Sequence, residues 1–334
     1  MRVKLIQIDG KYPNLALMKL SAYHKSIGDE VGFNVVKPDR VYASFIFTWN
    51  KAQANGVKAW FPENMDYRLG GPGLGKPNWL SDIVEHTMPD YELYGIDHSV
   101  GFTTRGCIRE CGFCVVRRLE GYFKEHAPLE EFVHPDHKKV VLYDNNFLAS
   151  RKALEKLEWI NNRKMKVNFS QGLDGRLVTP ELAEALSKTR AYNHNWTRQC
   201  MHYAWDFYEE KTNKEIMRGF QTLIEAGVKP WRLTTYVLVG YNTTHAEDLK
   251  RALTLIEMGI QPFIMKYNNR RDDKWLNHLA RWCNRLIYKS IDWEHYLESA
   301  QGHTLAPEVR AGEKDKWNQT QIKPELTKRG SRNS

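Results

Sequence analysis

A regular alternation of strand-like and helix-like segments constrains the fold of this chain more than any other feature. Runs of apolar and β-branched residues alternate with segments in which apolar residues recur at helical spacing. The predicted strands of this series are 99–104, 139–143, 166–170, 199–204, 233–239 and 261–265. Strands joined through helices pair in parallel, and right-handed crossovers bring their carboxyl ends to one side. The pattern therefore predicts an α/β protein whose functional groups lie on the loops after the strands.

The amino-terminal part, residues 1–97, shows the same alternation on a smaller scale. A helix is predicted over 14–27, and a loop rich in glycine and proline covers 69–77. The predicted strands are 3–8, 31–36 and 41–47. We expect a separate, doubly wound domain of the Rossmann-like kind here.

Composition narrows the class of protein. The apolar fraction is 42% and the chain has 11 tryptophans, which indicates a folded core. Five cysteines, three of them clustered, do not suit a disulfide framework and fit a reducing compartment. No secretory signal and no apolar run of about 18 residues is visible, so we expect a soluble, cytoplasmic protein without a membrane partner. The net charge of +9 favours polyanionic partners, above all nucleic acid.

The clustered cysteines directly follow the predicted strand 99–104. Cys107, Cys111 and Cys114 have the spacing Cys-x3-Cys-x2-Cys, and no fourth cysteine lies nearby. Thiolates are the usual ligands of iron–sulfur clusters, and a [4Fe–4S] cluster normally takes four of them. Three ligands on one loop would leave one iron open to an exchangeable ligand. The pattern therefore predicts a cluster that takes part in chemistry.

A zinc site is the alternative that the spacing leaves open. Zinc accepts mixed sets of cysteine and histidine ligands, and three histidines follow the cysteines in sequence. The candidate fourth ligands are His126, His134 and His137. The corresponding function is that of a zinc protein without chemistry that binds nucleic acid. The position of the loop at the end of a predicted parallel strand favours the iron–sulfur interpretation.

The region 99–267 resembles the radical S-adenosylmethionine (SAM) superfamily, on the cysteine spacing and on the aromatic Phe113 before the last cysteine. The resemblance implies that the three cysteines hold a [4Fe–4S] cluster and that SAM binds the open iron. It also implies an external electron donor of the flavodoxin or ferredoxin type. The expected reaction is reductive cleavage of SAM to a 5′-deoxyadenosyl radical, which takes a hydrogen from an unidentified substrate. The implied fold over 98–267 is a partial (β/α)6 TIM-like barrel.

Further residues at the ends of predicted strands inherit roles from this resemblance. Phe113 lines the adenine pocket, and the segment after the second strand receives the SAM amino group. Segments after the third and fifth strands contact the ribose, the carboxylate and the base. The residues implied are Asp144 and Asn145 for the amino group, Ser170, Gln171, Asp174 and Arg176 for the ribose and carboxylate, and Val239 and Gly240 for adenine. An Asx turn would select Asp144 and Asn145 equally well.

The loop around the cysteines is basic. Its cations would offset the negative charge of a cluster and raise its potential, or they would form an ordinary solvated surface. These residues are Arg105, Arg109, Arg117 and Arg118. Two further cysteines, Cys200 and Cys283, are too few for a second four-thiolate cluster.

The amino-terminal region resembles the cobalamin-binding-like domain that precedes many radical SAM cores. The resemblance raises cobalamin as a further cofactor and a cobalamin-dependent methyltransferase as an alternative function. The motif Asp-x-His-x-x-Gly, which supplies the axial histidine, is missing, because the chain reads Asp9-Gly10-Lys11-Tyr12-Pro13 after the first strand.

A helical extension is expected over 268–305 and a mobile tail over 306–334. One predicted helix face carries Trp275, Leu279, Trp282 and Leu286, and the adjoining stripe carries Lys274, His278, Arg281, Arg285 and Lys289. An aromatic and basic surface of this kind would bind nucleic acid through stacking and phosphate contacts. A tryptophan face that packs into the core is the alternative.

Overall fold

The computed structural model of the chain describes residues 1–269 and 272–300. The predicted tail 306–334 and parts of the predicted extension, 270–271 and 301–305, lie outside these residues. The described chain divides into two compact units. The first is Met1–Met201 with Glu225–Val228, and the second holds His202–Ile224 and the described residues from Lys229 onward. The domain boundaries expected from the sequence stay predictions.

The first unit begins with a four-stranded sheet in which every neighbouring pair is parallel. Its strand order is β2-β1-β3-β4. The strands are β1 (Arg2–Gln7), β2 (Glu30–Gly32), β3 (Arg40–Ser44) and β4 (Asp66–Gly70), and the helices are α1 (Leu15–Ser26), α2 (Lys51–Lys58) and α3 (Asp82–Glu85). Helix α1 begins at Asn14, whose side chain accepts a hydrogen bond from the Leu17 backbone N–H. Val3 and Leu5 of β1 pack with Leu17 in one core.

A second parallel sheet follows in the same unit, with the strand order β10-β9-β8-β5. A two-stranded antiparallel ribbon, β6 with β7, branches off after its first strand. The strands are β5 (Ser99–Gly101), β6 (Thr104–Arg105), β7 (Lys124–Glu125), β8 (Lys139–Leu142), β9 (Lys166–Phe169) and β10 (Arg190–Ala191). The helices are α4 (Val116–Glu120), α5 (Leu129–Phe132), α6 (Ala153–Asn162) and α7 (Pro180–Lys188).

The second unit contains a three-stranded sheet of order β11-β12-β13, in which β12 and β13 are parallel. The strands are β11 (Met201–Ala204), β12 (Leu233–Val239) and β13 (Gln261–Lys266). The helices are α8 (Glu210–Glu225), α9 (His245–Glu257), α10 (Lys274–Asn284) and α11 (Trp293–Ala300). Thr244 and Glu247 form a capping box at the start of α9. These elements and those of the first unit confirm an α/β protein with parallel sheets.

The limits of several predicted strands differ from the observed ones for physical reasons. The strand predicted over 31–36 stops at Gly32, because the Lys4 ammonium group donates to the carbonyl oxygens of Phe33 (3.0 Å) and Val35 (3.1 Å). The residues Leu69 and Gly70, predicted to be loop, end the edge strand β4 instead, and an ion pair between Arg40 and Asp66 (2.6 Å) supports that strand. Strand β10 was not predicted, since two residues are too few to show a periodicity.

In the described residues, no helix has both the length and the apolar character that a bilayer crossing requires.

A buried ion pair organises the strand ends of the second unit. Asp248 and Arg251 lie on α9, both side chains are fully buried, and Arg251 Nη2 is 2.5 Å from Asp248 Oδ1. The guanidinium also donates to the carbonyl oxygens of Trp205 (2.6 Å) and Leu238 (2.7 Å). The second carboxylate oxygen accepts from the Gly240 backbone N–H (3.0 Å). Burial raises the pKa of Asp248 and lowers the pKa of Arg251.

Replacing Arg251 by alanine is expected to lower the free energy of unfolding by about 3–5 kcal/mol, because the change leaves the Asp248 carboxyl buried without its cation. The matched control is Lys214→Ala, which removes an exposed i,i+4 pair with Glu210 in the same unit and should cost less than about 0.5 kcal/mol. Urea unfolding followed by tryptophan fluorescence measures both. Equal, small losses for the two variants would contradict a structural role for the pair.

Candidate functional site: the cysteine loop

The chain leaves the second sheet just before the cysteines. Strand β5 ends at Gly101, where a Cβ atom would lie 2.3 Å from the Phe132 ring. The buried carboxylate of Asp144, which follows β8, accepts from the Thr103 backbone N–H (3.1 Å) and from the hydroxyls of Thr103 and Thr104 (2.7 Å for Thr104). These bonds turn the chain away from the sheet, so the strand predicted over 99–104 is wrong beyond Gly101.

A glycine then sets the direction in which the cysteine loop starts. Gly106 has a φ of +69°, and a Cβ atom there would lie 2.2 Å from the Tyr122 carbonyl oxygen. Its backbone N–H donates to Glu120 Oε2 (3.1 Å), and the Asn145 amide donates to the same oxygen (2.9 Å). Only glycine fits this combination of left-handed backbone and close approach. The first cysteine therefore starts from a rigid point.

The three cysteines differ in exposure. Cys107 and Cys111 are partly buried, and Cys114 is exposed. A backbone hydrogen bond from Cys114 to the Cys111 carbonyl (2.9 Å) closes a turn between them. The Cys107 sulfur accepts from the Arg109 backbone N–H (3.3 Å) and lies 3.8 Å from the Asn146 amide nitrogen.

A carboxylate between two guanidinium groups lies beside Cys107. Asp174 Oδ2 accepts from Arg109 Nε (3.0 Å) and Arg176 Nη2 (3.0 Å), and Asp174 Oδ1 accepts from Arg176 Nε (2.7 Å). Burial alone would raise the pKa of Asp174, but Arg176 and Arg109 outweigh it and hold the pKa below its ordinary value. The Asp174 carboxylate is therefore charged, and two cations surround it.

Asn146 is the residue at this site that the sequence prediction missed. Its side-chain nitrogen lies 3.5 Å from Asp174 Oδ2 and 3.8 Å from the Cys107 sulfur. Its buried side-chain oxygen has no hydrogen-bond partner among the residues that the structure describes. The residue is only 3% exposed. An unpaired buried oxygen is costly, and in native proteins it commonly marks a missing ligand or water. The sequence points to Asp144 and Asn145, and nothing in it shows that the amide of the next residue is the one that reaches the cysteines.

The other predicted residues have varied surroundings. Asp144 and Asn145 bond within the protein, to Thr103, Thr104 and Glu120 as described above. The Ser170 backbone N–H donates to the Leu142 carbonyl oxygen (3.0 Å), and the exposed Gln171 donates to Ser170 Oγ (3.4 Å). Phe113 is partly buried. The roles that the resemblance implies for these residues stay predictions.

Val239 and Gly240 lie in the second unit, at the carboxyl end of β12. Val239 is fully buried, and Gly240 has a φ of +73°. The Gly240 backbone N–H is held by Asp248 of the buried ion pair. The turn predicted to contact adenine is therefore a rigid one.

Most of the arginines near the cysteines are held by the protein. Arg105 lies over the rings of Phe102 (3.8 Å) and Trp79 (4.7 Å), and Arg117 donates to the Cys107 carbonyl oxygen (3.2 Å) from above the Tyr122 ring (3.5 Å). Arg109 is held as well, because it donates to Asp174. Arg118 is exposed. The basic loop is therefore largely ordered by contacts and only partly a solvated surface.

No three side chains of the His, Cys, Asp and Glu types lie close enough to hold a metal ion in the part of the chain that the structure describes. The histidines of the zinc alternative have other neighbours. His126 Nε2 lies 3.2 Å from Glu85 Oε1, and His137 Nδ1 lies 3.0 Å from Ser99 Oγ. The His134 ring is 5.0 Å from the His137 ring.

The basic stripe of α10 is separate from its tryptophan face. Trp275, Leu279 and Trp282 are buried, and the rings of Trp275 and Trp282 both pack edge-to-face on Trp293 of α11. The exposed cations of the stripe are Lys274, Arg281, Arg285 and Lys289. A nucleic-acid partner for this helix stays a prediction.

A largely buried charged cluster supports the cysteine loop from the side of the first sheet. Glu85 Oε1 lies 3.5 Å from Lys19 Nζ, 3.5 Å from Arg105 Nη2 and 3.2 Å from His126 Nε2. Burial would raise the pKa of Glu85, but His126, Lys19 and Arg105 outweigh it and lower the pKa to about 2. Because Arg105 directly precedes Gly106, this cluster anchors the start of the loop.

No family model matches this chain, and no curated protein matches it either. The geometry of the cysteine loop and the residue types on it are therefore the basis for assigning a function.

Replacing Glu85 by glutamine should reduce the free energy of unfolding by about 3 kcal/mol at pH 7, since its pKa falls from about 4.3 in the unfolded chain to about 2 in the folded one. A lowered pKa stabilises the fold above the unfolded value, and the stabilisation is lost as the pH falls toward 2. The difference between the wild type and Glu85→Gln should therefore be constant from pH 7 to 5 and shrink below about pH 4.3.

Urea unfolding at a series of pH values measures this difference. The control is Glu92→Gln, which changes a carboxyl whose side chain is 93% exposed and should leave the profile unchanged. A difference for Glu85→Gln that stays constant down to pH 3 would contradict the charged cluster.

Proposed function

We propose that this chain is a radical SAM enzyme in which Cys107, Cys111 and Cys114 hold a [4Fe–4S] cluster. When bound, the cluster and SAM supply a 5′-deoxyadenosyl radical, which removes a hydrogen atom from a substrate that the motifs do not identify. The observation that carries the proposal is a loop with three thiols that begins at the rigid Gly106. Beside this loop lies the Asn146 amide, whose oxygen has no partner within the described part of the chain. Cationic groups next to the loop suit an anionic cluster.

The donor set fits such a cluster in its chemistry. Three thiols within one short loop are soft ligands, which suit iron–sulfur clusters better than hard cations. The Cys107 sulfur already receives N–H donors from Arg109 and Asn146. Since the described residues hold no ready metal-binding group, binding requires side-chain rearrangement in the more exposed part of the loop, Cys111–Cys114. The exposure of Cys114 would also let an external flavodoxin- or ferredoxin-like donor approach.

The proposal includes the fold that this resemblance implies, a partial (β/α)6 TIM-like barrel after a Rossmann-like domain. Its support is the parallel pairing of β5, β8 and β9 in sequence order within the first unit. Strands β12 and β13 are parallel in the same way within the second unit. Helices α6 and α9 connect the pairs β8–β9 and β12–β13.

In this proposal, different polar groups beside Cys107 bind different parts of SAM. The unpaired side-chain oxygen of Asn146 is an acceptor for the ammonium group of the ligand, so we assign Asn146 to the role that the sequence gave to Asp144 and Asn145. Arg176 and Arg109 are cations for the ligand carboxylate, already oriented by Asp174. Phe113, Ser170 and Gln171 remain the proposed contacts of adenine and ribose. The adenine role of Val239 and Gly240 stays a prediction from the resemblance.

Replacing Cys111 by alanine should abolish cluster assembly and SAM cleavage, because two thiolates cannot hold a cluster that already lacks a fourth protein ligand. After anaerobic reconstitution, cluster assembly is measured by the iron and sulfide content and by the charge-transfer absorbance. SAM cleavage is measured by the formation of 5′-deoxyadenosine with dithionite as the reductant. The matched control is Cys200→Ala, which changes a buried cysteine in the same unit and should keep the iron.

Full iron content in Cys111→Ala, or a wild-type protein that binds zinc and never cleaves SAM, would contradict the proposed function.

Asn146→Ala should weaken SAM binding by roughly 10- to 100-fold, since a hydrogen bond to a charged group contributes about 1.5–3 kcal/mol. Iron content should stay at the wild-type level, because no thiol is changed. Equilibrium dialysis of labelled SAM with the reconstituted protein measures the affinity. Asn161→Ala is the control, because Asn161 also has a buried side-chain oxygen without a partner but donates to the Ala185 carbonyl oxygen instead. An equal loss of affinity in both variants would count against Asn146 as a ligand contact.

A further inference from the structure

Two aromatic side chains lie stacked and exposed after strand β3. The rings of Phe47 and Trp49 are 4.6 Å apart and only 15° from parallel. Phe47 is 39% exposed and Trp49 is 75% exposed. We call this pair the aromatic platform. Exposed apolar surface that is held in place commonly marks a binding site, and a flat ring pair suits another flat ring.

A carboxylate holds the turn that presents the platform. Asp9, in the loop after β1, accepts from the backbone N–H groups of Ile46 (2.6 Å) and Phe47 (3.1 Å). The Asn50 amide donates to the same carboxylate (2.9 Å). These three bonds bracket Trp49 on both sides. The platform is therefore preorganised, which lowers the entropy cost of binding.

The glycine-rich loop after β4 supports the platform from the other side. A Cβ atom on Gly71 would lie 2.2 Å from the Phe45 carbonyl oxygen, and one on Gly73 would lie 2.3 Å from the Phe45 ring. The Gly73 backbone N–H donates to that carbonyl oxygen (3.1 Å). The glycines thus allow the loop to pack directly on the residue two positions before Phe47.

The surroundings of the platform are cationic. Lys11, Lys51 and Lys76 are exposed and follow β1, β3 and β4, which are neighbours in the parallel sheet. Their loops therefore share the carboxyl edge of that sheet. No acidic residue occurs from 41 to 62. The one carboxylate in these loops, Asp9, is occupied by its three hydrogen bonds.

The same aromatic and basic character continues to the cysteine loop. Trp79, in the segment after β4, is 41% exposed. Its ring lies 4.7 Å from the Arg105 guanidinium and 5.0 Å from Lys124 Nζ. Arg105 lies two residues before Cys107. The β4 loop therefore connects the surroundings of the platform with those of the cysteines.

We propose that the aromatic platform binds an unpaired base of a single-stranded polynucleotide, with Lys11, Lys51 and Lys76 neutralising its phosphates. Stacking of a base on an aromatic side chain contributes about 1–3 kcal/mol, and every base has a face for it. Phosphate contacts by lysines add affinity that falls steeply with salt. An apolar peptide or a second copy of this chain would not use the excess positive charge. The site goes beyond the proposed radical chemistry and does not depend on it.

The test measures fluorescence anisotropy of labelled oligothymidylate and oligouridylate of about 20 nucleotides with the full chain. Trp49→Ala should raise the dissociation constant about 5- to 100-fold, the equivalent of one lost stacking contact. Trp49→Phe should restore most of the affinity, since it keeps a ring. The matched control is Trp60→Ala, because Trp60 is also 75% exposed but lies beyond the other end of α2. This control should bind like the wild type.

Raising the salt from about 50 to about 200 mM should weaken wild-type binding at least 10-fold. Retained affinity in Trp49→Ala, an equal loss in Trp60→Ala, or duplex bound as tightly as single strands would overturn the proposal. Cys111→Ala should bind the oligonucleotides normally. The two hypotheses can fail separately, because a wild-type protein that binds the oligonucleotides but never cleaves SAM contradicts only the radical SAM function.

Discussion

The buried carboxylate of Asp144 determines where the sheet ends and the cysteine loop begins. Burial raises the pKa of Asp144, although the hydrogen bonds from Thr103 and Thr104 favour its charged form. These bonds remove Thr103 and Thr104 from the line of β5 and direct the chain into the ribbon β6–β7. Glu120 then holds Gly106 and Asn145 together. Two carboxylates thus position the first cysteine.

Elements with continuous apolar runs and clear caps were predictable from the sequence. Strand β12 has the predicted bounds, and α9 begins at a capping box, Thr244 with Glu247, whose residue pattern is local. The short strands β2, β4 and β10 depend on pairing with neighbours and not on their own periodicity, so no local pattern reveals their limits. Strand β2 is an example, because the Lys4 side chain bonds the carbonyl oxygens of Phe33 and Val35, where β2 was predicted to continue.

The candidate site also has one part that the sequence shows and another that only the structure shows. The cysteine spacing is a local property and is visible in the sequence, whereas the partners of each polar side chain depend on the turn that holds it. Asn145 and Asn146 are identical neighbours, yet one bonds Glu120 and the other faces Cys107 and Asp174. The backbone of Asn146, with φ −154° and ψ 77°, belongs to no regular element. No pattern of residue types could have separated the two.

The chain has two basic surfaces that could bind a polynucleotide, the stripe on α10 and the surroundings of the aromatic platform. They differ in the exposure of their aromatic residues. On α10 the tryptophans are buried against α11, so their rings are not available for a base to stack on. Such a surface attracts phosphates but does not distinguish single strands from duplexes. At the platform, Phe47 and Trp49 are exposed, held by Asp9 and flanked by lysines. Stacking requires unpaired bases, so the platform selects single strands while α10 at most adds affinity.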